Sequence, residues 1–497
     1  MAERFTLNEL ASHPIMGTWS VEGHPHEFPG FLYLDGDNLH LTLYLSILER
    51  APLDTLQKTD PKLKLFAPPN QPTLLGRTKA AGHVTLFNCA QLSYQAANQL
   101  DPPLARVELT LRPSQAWIGT AFVNAKQQYR SLSFVAPGLH NVLSTIHVDH
   151  VYLGGEASEG QARELKKLTD ARQVYFVHRG EEPSADITKD GKPYKVRLFS
   201  SVSESHSSTA GITIQTIDEI VIDTEGANLA ELMNVSFELE QFIALLCIGP
   251  FRRDRLTVRL EDYRSAELLW RLGRPSSAKE FAIMPHELLV ALGRSPDLTK
   301  RAIEHWFTGS EATRMARWLI FDALFNDVSS ASKFLSVAQA WEVAGRERSK
   351  VAPFEKTSFK EMCREVEQII HRYLGAEPTL RLMQLLRSSN RESFGTFVEN
   401  TLSSIPQVAL DRICGDVPTF VSNVVRARNT LTHLQGSKKL PIESASYLSL
   451  YLTYKLIVLF CIDTCISVGL PLDNLNVMLA NNEMARTACR ALPDHLQ

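Results

Sequence analysis

The segment Arg428-Asn429-Thr430-Leu431-Thr432-His433 places the residue types that phosphodiester chemistry needs within two helical turns. A guanidinium offers paired donors to phosphate oxygens, and an imidazole can take or give a proton near neutrality. Asn429 and His433 stand four apart, so on a helix they share a face and their side chains can meet. Arg428 and His433 are five apart, an offset of about 140° around a helix. Only the long Arg side chain, or a distorted last turn, brings both to one phosphate. Gly436 suggests that the helix ends just past His433. Arg426, Arg428, Lys438 and Lys439 surround the pair with no acidic residue from Val421 to Leu440, in a chain whose net charge is −3. Spacing alone singles out nothing, because Arg77 and His83, Arg172 and His178, and Arg364 and His371 come close to it. Context separates the segment from these. Val421, Val424, Arg428 and Leu431 recur at helical spacing, so Arg428 stands where Leu or Val is expected. A guanidinium there is costly unless it is paired or faces a polar cleft. The bland alternative is an arginine paired to a carboxylate and a histidine stabilising a helix end.

Two helices must position these residues, one over about 418–434 and one over about 441–468. The second contains the apolar run Leu456–Ile462, seven residues between Lys455 and Asp463. That run is far short of the ~20 residues needed to span a bilayer, so the helix reads as a bundle core and a candidate dimer interface, with no membrane partner.

Ahead of these helices the period is two. Phe31–Leu34, Asp35-Gly36 and the alternation Leu39–Leu45 form a hairpin signal, and Val84–Phe87 and Val107–Leu111 continue the pattern. Further strands are expected at Ile212–Gln215, Glu219–Ile222 and Leu256–Leu260. A turn is expected at Asp190-Gly191, a Ser-rich loop at Ser200–Thr209 and one helix over Leu229–Leu246. Past Gly273–Ser277, a linker by composition, the period becomes 3.6, with helices at about 298–307, 311–325, 331–344, 358–374, 379–386 and 391–402. The fold class is α+β and multidomain, an antiparallel β-sandwich-like region followed by an all-α bundle. The divisions are 1–115 (β domain), 116–275 (second β-rich region with one helix), 276–330 (helical connector) and 331–497 (α-helical domain).

With these elements in place the sequence resembles the ApeA-like branch of the HEPN superfamily, whose motif is Arg, a polar residue, a short gap and His. Arg428, Asn429 and His433 match it in the R-x4-H form. Phe334–Glu342 looks like the first HEPN helix, and Gly17-Thr18-Trp19, Pro29–Tyr33 and Leu41–Leu43 are similar to the β domain that precedes it. The resemblance implies a cytoplasmic, metal-independent endoribonuclease of anti-phage abortive infection, needing no cofactor and cutting host RNA, tRNA anticodon loops above all. It further implies a homodimer, a phage component as trigger, and Arg428, Asn429 and His433 as catalytic residues. The family architecture also makes Glu342 a candidate partner of Arg428 in the inactive state, with a solvated or capping role the commoner case. Arg426, Lys438 and Lys439 would add contacts to RNA.

Two other function classes stay open: a non-catalytic sensor or scaffold with an inactive HEPN bundle, and an enzyme acting through the β region on carbohydrate. For the last, no paired carboxylates can be placed. Trp19 and Trp117 are candidates for stacking on a sugar or base, with a core role the commoner case. His147 and Asp149, and His24 and His26, lack a third metal ligand. The seven cysteines include no C-x-x-C pair, which favours a reducing compartment over a disulfide framework.

Overall fold

A computed structural model describes residues 7–47, 60–67, 69–98, 105–135, 146–152, 173–179, 182–207, 211–249, 251, 253, 255–271, 287–290, 292, 295–325, 328–348, 355–388, 393–433 and 441–493. Two compact units comprise residues 1–139, 186–238 and 253–281, and residues 140–185, 239–252 and 282–497.

The strands are β1 (Ile15–Val21), β2 (Glu27–Asp35), β3 (Asn38–Ile47), β4 (Leu74–Thr78), β5 (Gly82–Phe87), β6 (Ala90–Asn98), β7 (Ala105–Arg112), β8 (Gln115–Gly119), β9 (Gln128–Val135), β10 (Ile146–Tyr152), β11 (Gln173–Arg179), β12 (Ser184–Lys189), β13 (Lys192–Ser207), β14 (Gly211–Asn228), β15 (Arg255–Arg259) and β16 (Ser265–Arg271). All but β10 and β11 join one 14-stranded sheet in the order β12-β13-β14-β9-β15-β16-β8-β5-β4-β1-β2-β3-β7-β6. Local turns set its hairpins. Asp35 pairs with Asn38, leaving Gly36-Asp37 as a two-residue turn, and Asp190 and Gly191 at φ 50° and 78° form the left-handed pair that a tight hairpin needs.

The core follows from alternation. Leu39, Leu41, Leu43 and Leu45 all point inward and are buried. They join Trp19, Leu32, Leu86, Leu109 and Ile118 in one cluster. Among the described residues its buried members outside the strands are Leu10, Leu63, Phe66 and Cys89, from α1 (Leu7–Ser12), α2 (Pro61–Lys64) and nearby turns. Trp19 and Trp117 are fully buried, so neither can stack on a ligand.

Three expectations change here. The division after residue 115 does not interrupt the sheet, because β8 pairs with β5 on one side and β16 on the other. The Ser-rich stretch is no loop: Ser200–Ser207 is strand, in register with β14 from Asp218 to Gly211. The expected strands Ile212–Gln215 and Glu219–Ile222 are parts of that one long β14. Cross-strand pairing overrides the polar composition and the turn propensity of serine. The linker Gly273–Ser277 lies outside the described residues.

Among the described residues the second unit is helical apart from the β10–β11 ribbon and the start of β12. Its helices begin with the later part of α3 (Leu229–Cys247), within which the division between the units falls. They continue as α4 (Pro296–Phe307), α5 (Glu311–Phe325), α6 (Ser330–Arg348), α7 (Lys356–Leu374), α8 (Ala376–Ser388), α9 (Phe394–Leu402), α10 (Gln407–Ile413), α11 (Val417–His433), α12 (Ile442–Ser467), α13 (Leu475–Asn481) and α14 (Glu483–Ala488). α12 is the central pillar, and every residue from Lys455 to Cys465 is buried. Its apolar character therefore runs round the whole helix. Among the described residues it is the one helix long and apolar enough to cross a membrane, yet 72% of its most apolar window is buried. The centre of α12 is enclosed by its own chain, as the bundle-core expectation has it.

Packing around the pillar is close. Trp341 of α6 is fully buried and donates its indole N–H to the Leu456 carbonyl at 3.1 Å. Gly345 on the same helix lets Phe397 of α9 approach so closely that an added Cβ would stand 2.5 Å from the Phe397 Cβ. The buried Asp463 of α12 is matched. Arg348 grips Asp463 with both terminal nitrogens, and Ser404 donates to the same carboxylate at 2.9 Å.

Candidate functional site

α11 starts cleanly. The Asp416 carboxylate accepts from the Thr419 amide at 2.9 Å, and Pro418 occupies the first turn, where its missing N–H costs nothing. The Thr419 side chain, and after it the amide, hold the Asp416 carboxyl below its ordinary value. The helix buries Phe420, Val421, Asn423, Val424, Ala427, Thr430 and Leu431. The stripe therefore runs through Ala427 where the sequence reading placed Arg428. Arg428 lies at its edge with a side chain 30% exposed, so the guanidinium avoids full desolvation.

Three groups hold Arg428. Its Nη2 lies 3.2 Å from Oε2 of Glu342 on α6, across 86 positions of sequence. Its Nη1 donates to Asn429 Oδ1 at 3.2 Å. The guanidinium carbon stands 5.5 Å from the ring centroid of Phe394 on α9. The other oxygen of Glu342 accepts from Arg346, one turn along α6. One carboxylate is thus shared between two arginines, and α6, α9 and α11 together position a half-exposed guanidinium.

Arg426, Asn429 and His433 are all exposed, and their spacing of three and four puts them on one outer face of α11. Asn429 bonds Arg428 rather than His433, which differs from the simplest expectation, because the Arg428 side chain reaches around to it. Asn429 thereby links the guanidinium to the face that carries the imidazole. Lys438 and Lys439, and the helix end expected at Gly436, lie outside the described residues. The arrangement offers chemistry a fixed cation at an open edge, an amide beside it and an imidazole on the adjoining face.

Sequence reasoning singled out Arg428, Asn429 and His433, and weighed Glu342 as a partner of Arg428 against a solvated or capping role. It missed Phe394, for which the sequence carries no signal, and Arg346, whose i,i+4 spacing from Glu342 was visible. Among the described residues no group of three His, Cys, Asp or Glu is placed to hold a metal ion. His24 and His26 sit in the β1–β2 connection. The side chains of His147 and Asp149 lie outside the described residues.

The family model of ApeA N-terminal domain 1 matches residues 14–306, and that of the Apea-like HEPN domain matches residues 335–473. The second match contains Glu342, Phe394 and the whole Arg428–His433 segment. No curated protein and no solved structure matches the chain.

Proposed function

The chain belongs to the ApeA family, and from that premise we propose that it is a metal-independent endoribonuclease of bacterial anti-phage abortive infection. HEPN domains are generally ribonucleases that bind RNA and dimerise. The observation that carries the reading is the half-exposed Arg428, held by Glu342 and Asn429 on the helix that presents His433. In the proposed reaction a ribose 2′-oxygen, giving up its proton with help from His433, attacks the adjacent phosphorus. The bond to the 5′-oxygen breaks, that oxygen takes a proton, and the ends are a 2′,3′-cyclic phosphate and a 5′-hydroxyl. Arg428 stabilises the charge that grows on the phosphoryl oxygens, and Asn429 keeps the guanidinium in place. Arg426, Lys438 and Lys439 are positioning contacts without base discrimination. An unpaired loop such as a tRNA anticodon is the favoured substrate, since single strands splay into the in-line geometry that a duplex resists. The protein acts in the cytoplasm, where a phage component triggers it.

Sequencing of RNA ends from cells expressing wild type or His433→Ala, with and without phage, tests the reading. Cyclic-phosphate ends should accumulate with wild type after infection, and purified protein should produce them in the presence of a chelator. Ends that are equally abundant with His433→Ala would sink it.

Glu342 supplies a separate prediction. A carboxylate against Arg428 repels the phosphate that Arg428 must bind, while its hydrogen bond keeps the guanidinium in place. Glu342→Gln keeps an acceptor and removes the charge. RNA binding should tighten by roughly 3- to 10-fold, with a salt dependence steeper by about one counterion. Glu342→Ala removes both and should lower the cleavage rate. Filter-binding titrations over a salt series check this, and unchanged affinity in the Gln variant would refute the restraining role.

A further inference from the structure

α9 buries Phe397, Val398, Thr401 and Leu402, and Phe394 stands three residues before Phe397, at the solvent end of that stripe. It is only partly buried, so a large apolar ring meets solvent at the first turn of the helix. The backbone there is fixed, since the Ser393 hydroxyl caps the helix by accepting from the Thr396 amide at 3.1 Å. Among the described residues the one charged or aromatic group against the ring is the Arg428 guanidinium. Of the five N–H donors of a guanidinium, Glu342 and Asn429 engage one each, and among the described residues the others meet no acceptor. Open donors for a phosphate thus stand beside a partly open aromatic ring. An unpaired nucleotide presents the complementary groups: a phosphate and, one sugar away, a flat base that stacks on aromatic side chains.

Position along α11 selects which base. A Cβ on Gly395 would meet Val425 at 3.4 Å and Val421 at 3.7 Å, so the start of α9 lies against the turns of α11 that precede Arg428. His433 lies more than a turn beyond Arg428 in the other direction. In the proposed reaction His433 attends the attacking 2′-hydroxyl, which belongs to the nucleotide on the 5′ side of the cleaved phosphate. The opposite side of Arg428 then receives the nucleotide that leaves with the 5′-hydroxyl. We propose that Phe394 is the stacking platform for the base of that leaving nucleotide. The platform accepts any base, because every base has a π-face. This inference rests on the ribonuclease reading and adds a base subsite to it.

Cleavage of an oligonucleotide with a single ribose, all its other sugars being 2′-deoxy, tests the subsite by fixing which bond is cut. Phe394→Leu keeps an apolar side chain at the rim, so thermal melts should be unchanged. It should lower kcat/KM by roughly 5- to 50-fold, and Phe394→Trp should restore it. Removing the base on the 3′ side of the cleaved bond, to leave an abasic residue, should slow the wild type to the rate of the leucine variant. An abasic residue on the 5′ side should leave the two proteins as far apart as before. A residue that only steadied Arg428 would keep the leucine variant slower on the 3′-abasic substrate, and that result would overturn the proposal. So would a leucine variant as fast as wild type on the intact substrate. A wild type that cuts no oligonucleotide of this kind would instead refute the ribonuclease reading, and the subsite with it.

Discussion

An alanine at His433 is expected to lower RNA cleavage by roughly 10²–10⁴-fold, the range of one general acid–base group. The melting temperature should stay where it is. The separation is clean because His433 is exposed at the last described turn of α11, whereas the residues that hold the helix, Val424, Ala427 and Leu431, lie on its other side. Arg428 should behave differently. Arg428→Lys keeps a charge near Glu342 but loses the planar fork that touches Glu342 and Asn429 together. Its cleavage rate should fall between those of wild type and Arg428→Ala. Single-turnover cleavage of an unstructured oligoribonucleotide in chelator, beside thermal melts of each variant, gives both readouts. A folded His433→Ala protein that cuts within about threefold of wild type would remove the imidazole from the mechanism.

The largest expected effect on stability lies at the pillar. Lys455 is buried in the middle of α12, and its ammonium donates to the Ile413 carbonyl and to the Ala488 carbonyl at 2.7 Å. These are the last residues of α10 and α14, whose final carbonyls lack partners within their own helices. One buried cation thus caps two helix C-termini, where the negative ends of the helix dipoles favour it. Burial pulls the lysine below its ordinary value all the same, because desolvation opposes the charged form. Lys455→Met preserves most of the stem volume and removes every donor. Two buried carbonyls are then left open, at a cost of about 3 kcal/mol, and the melting temperature should fall by roughly 6–10 °C. Calorimetry of the two proteins checks this, and coincident melts would show that the carbonyls find other partners.

Much of the molecule was legible in the sequence because it is governed by local period. Helices expected over 418–434 and 441–468 run from Val417 to His433 and from Ile442 to Ser467, since side chains three and four apart must share a face. The β2–β3 hairpin followed from Asp-Gly between apolar alternations for the same local reason. The Arg428-Asn429…His433 segment was visible as residue types at a spacing, together with a basic neighbourhood. The helices α10, α13 and α14 went unseen, being too short to show a period.

What the tertiary structure alone decided is every relation between distant positions. Two expected β regions proved to be one sheet because β8 finds β5 and β16, and no period in either stretch encodes that pairing. A serine run became strand because β14 lies beside it. Arg428 moved from the buried stripe to its edge because the packing of α11 on α6, α9 and α12 selected Ala427 as the inward residue. A solvated or capping role was the commoner expectation for Glu342, and the approach of α6 to α11 instead brings that carboxylate within 3.2 Å of Arg428. Lys455 looked in sequence like an interruption of an apolar helix, and in the fold it ties two other helix ends to the core. Periodicity determines which face a segment buries, whereas the partner that covers the face, and so the environment of each charge, is chosen only when the whole chain packs.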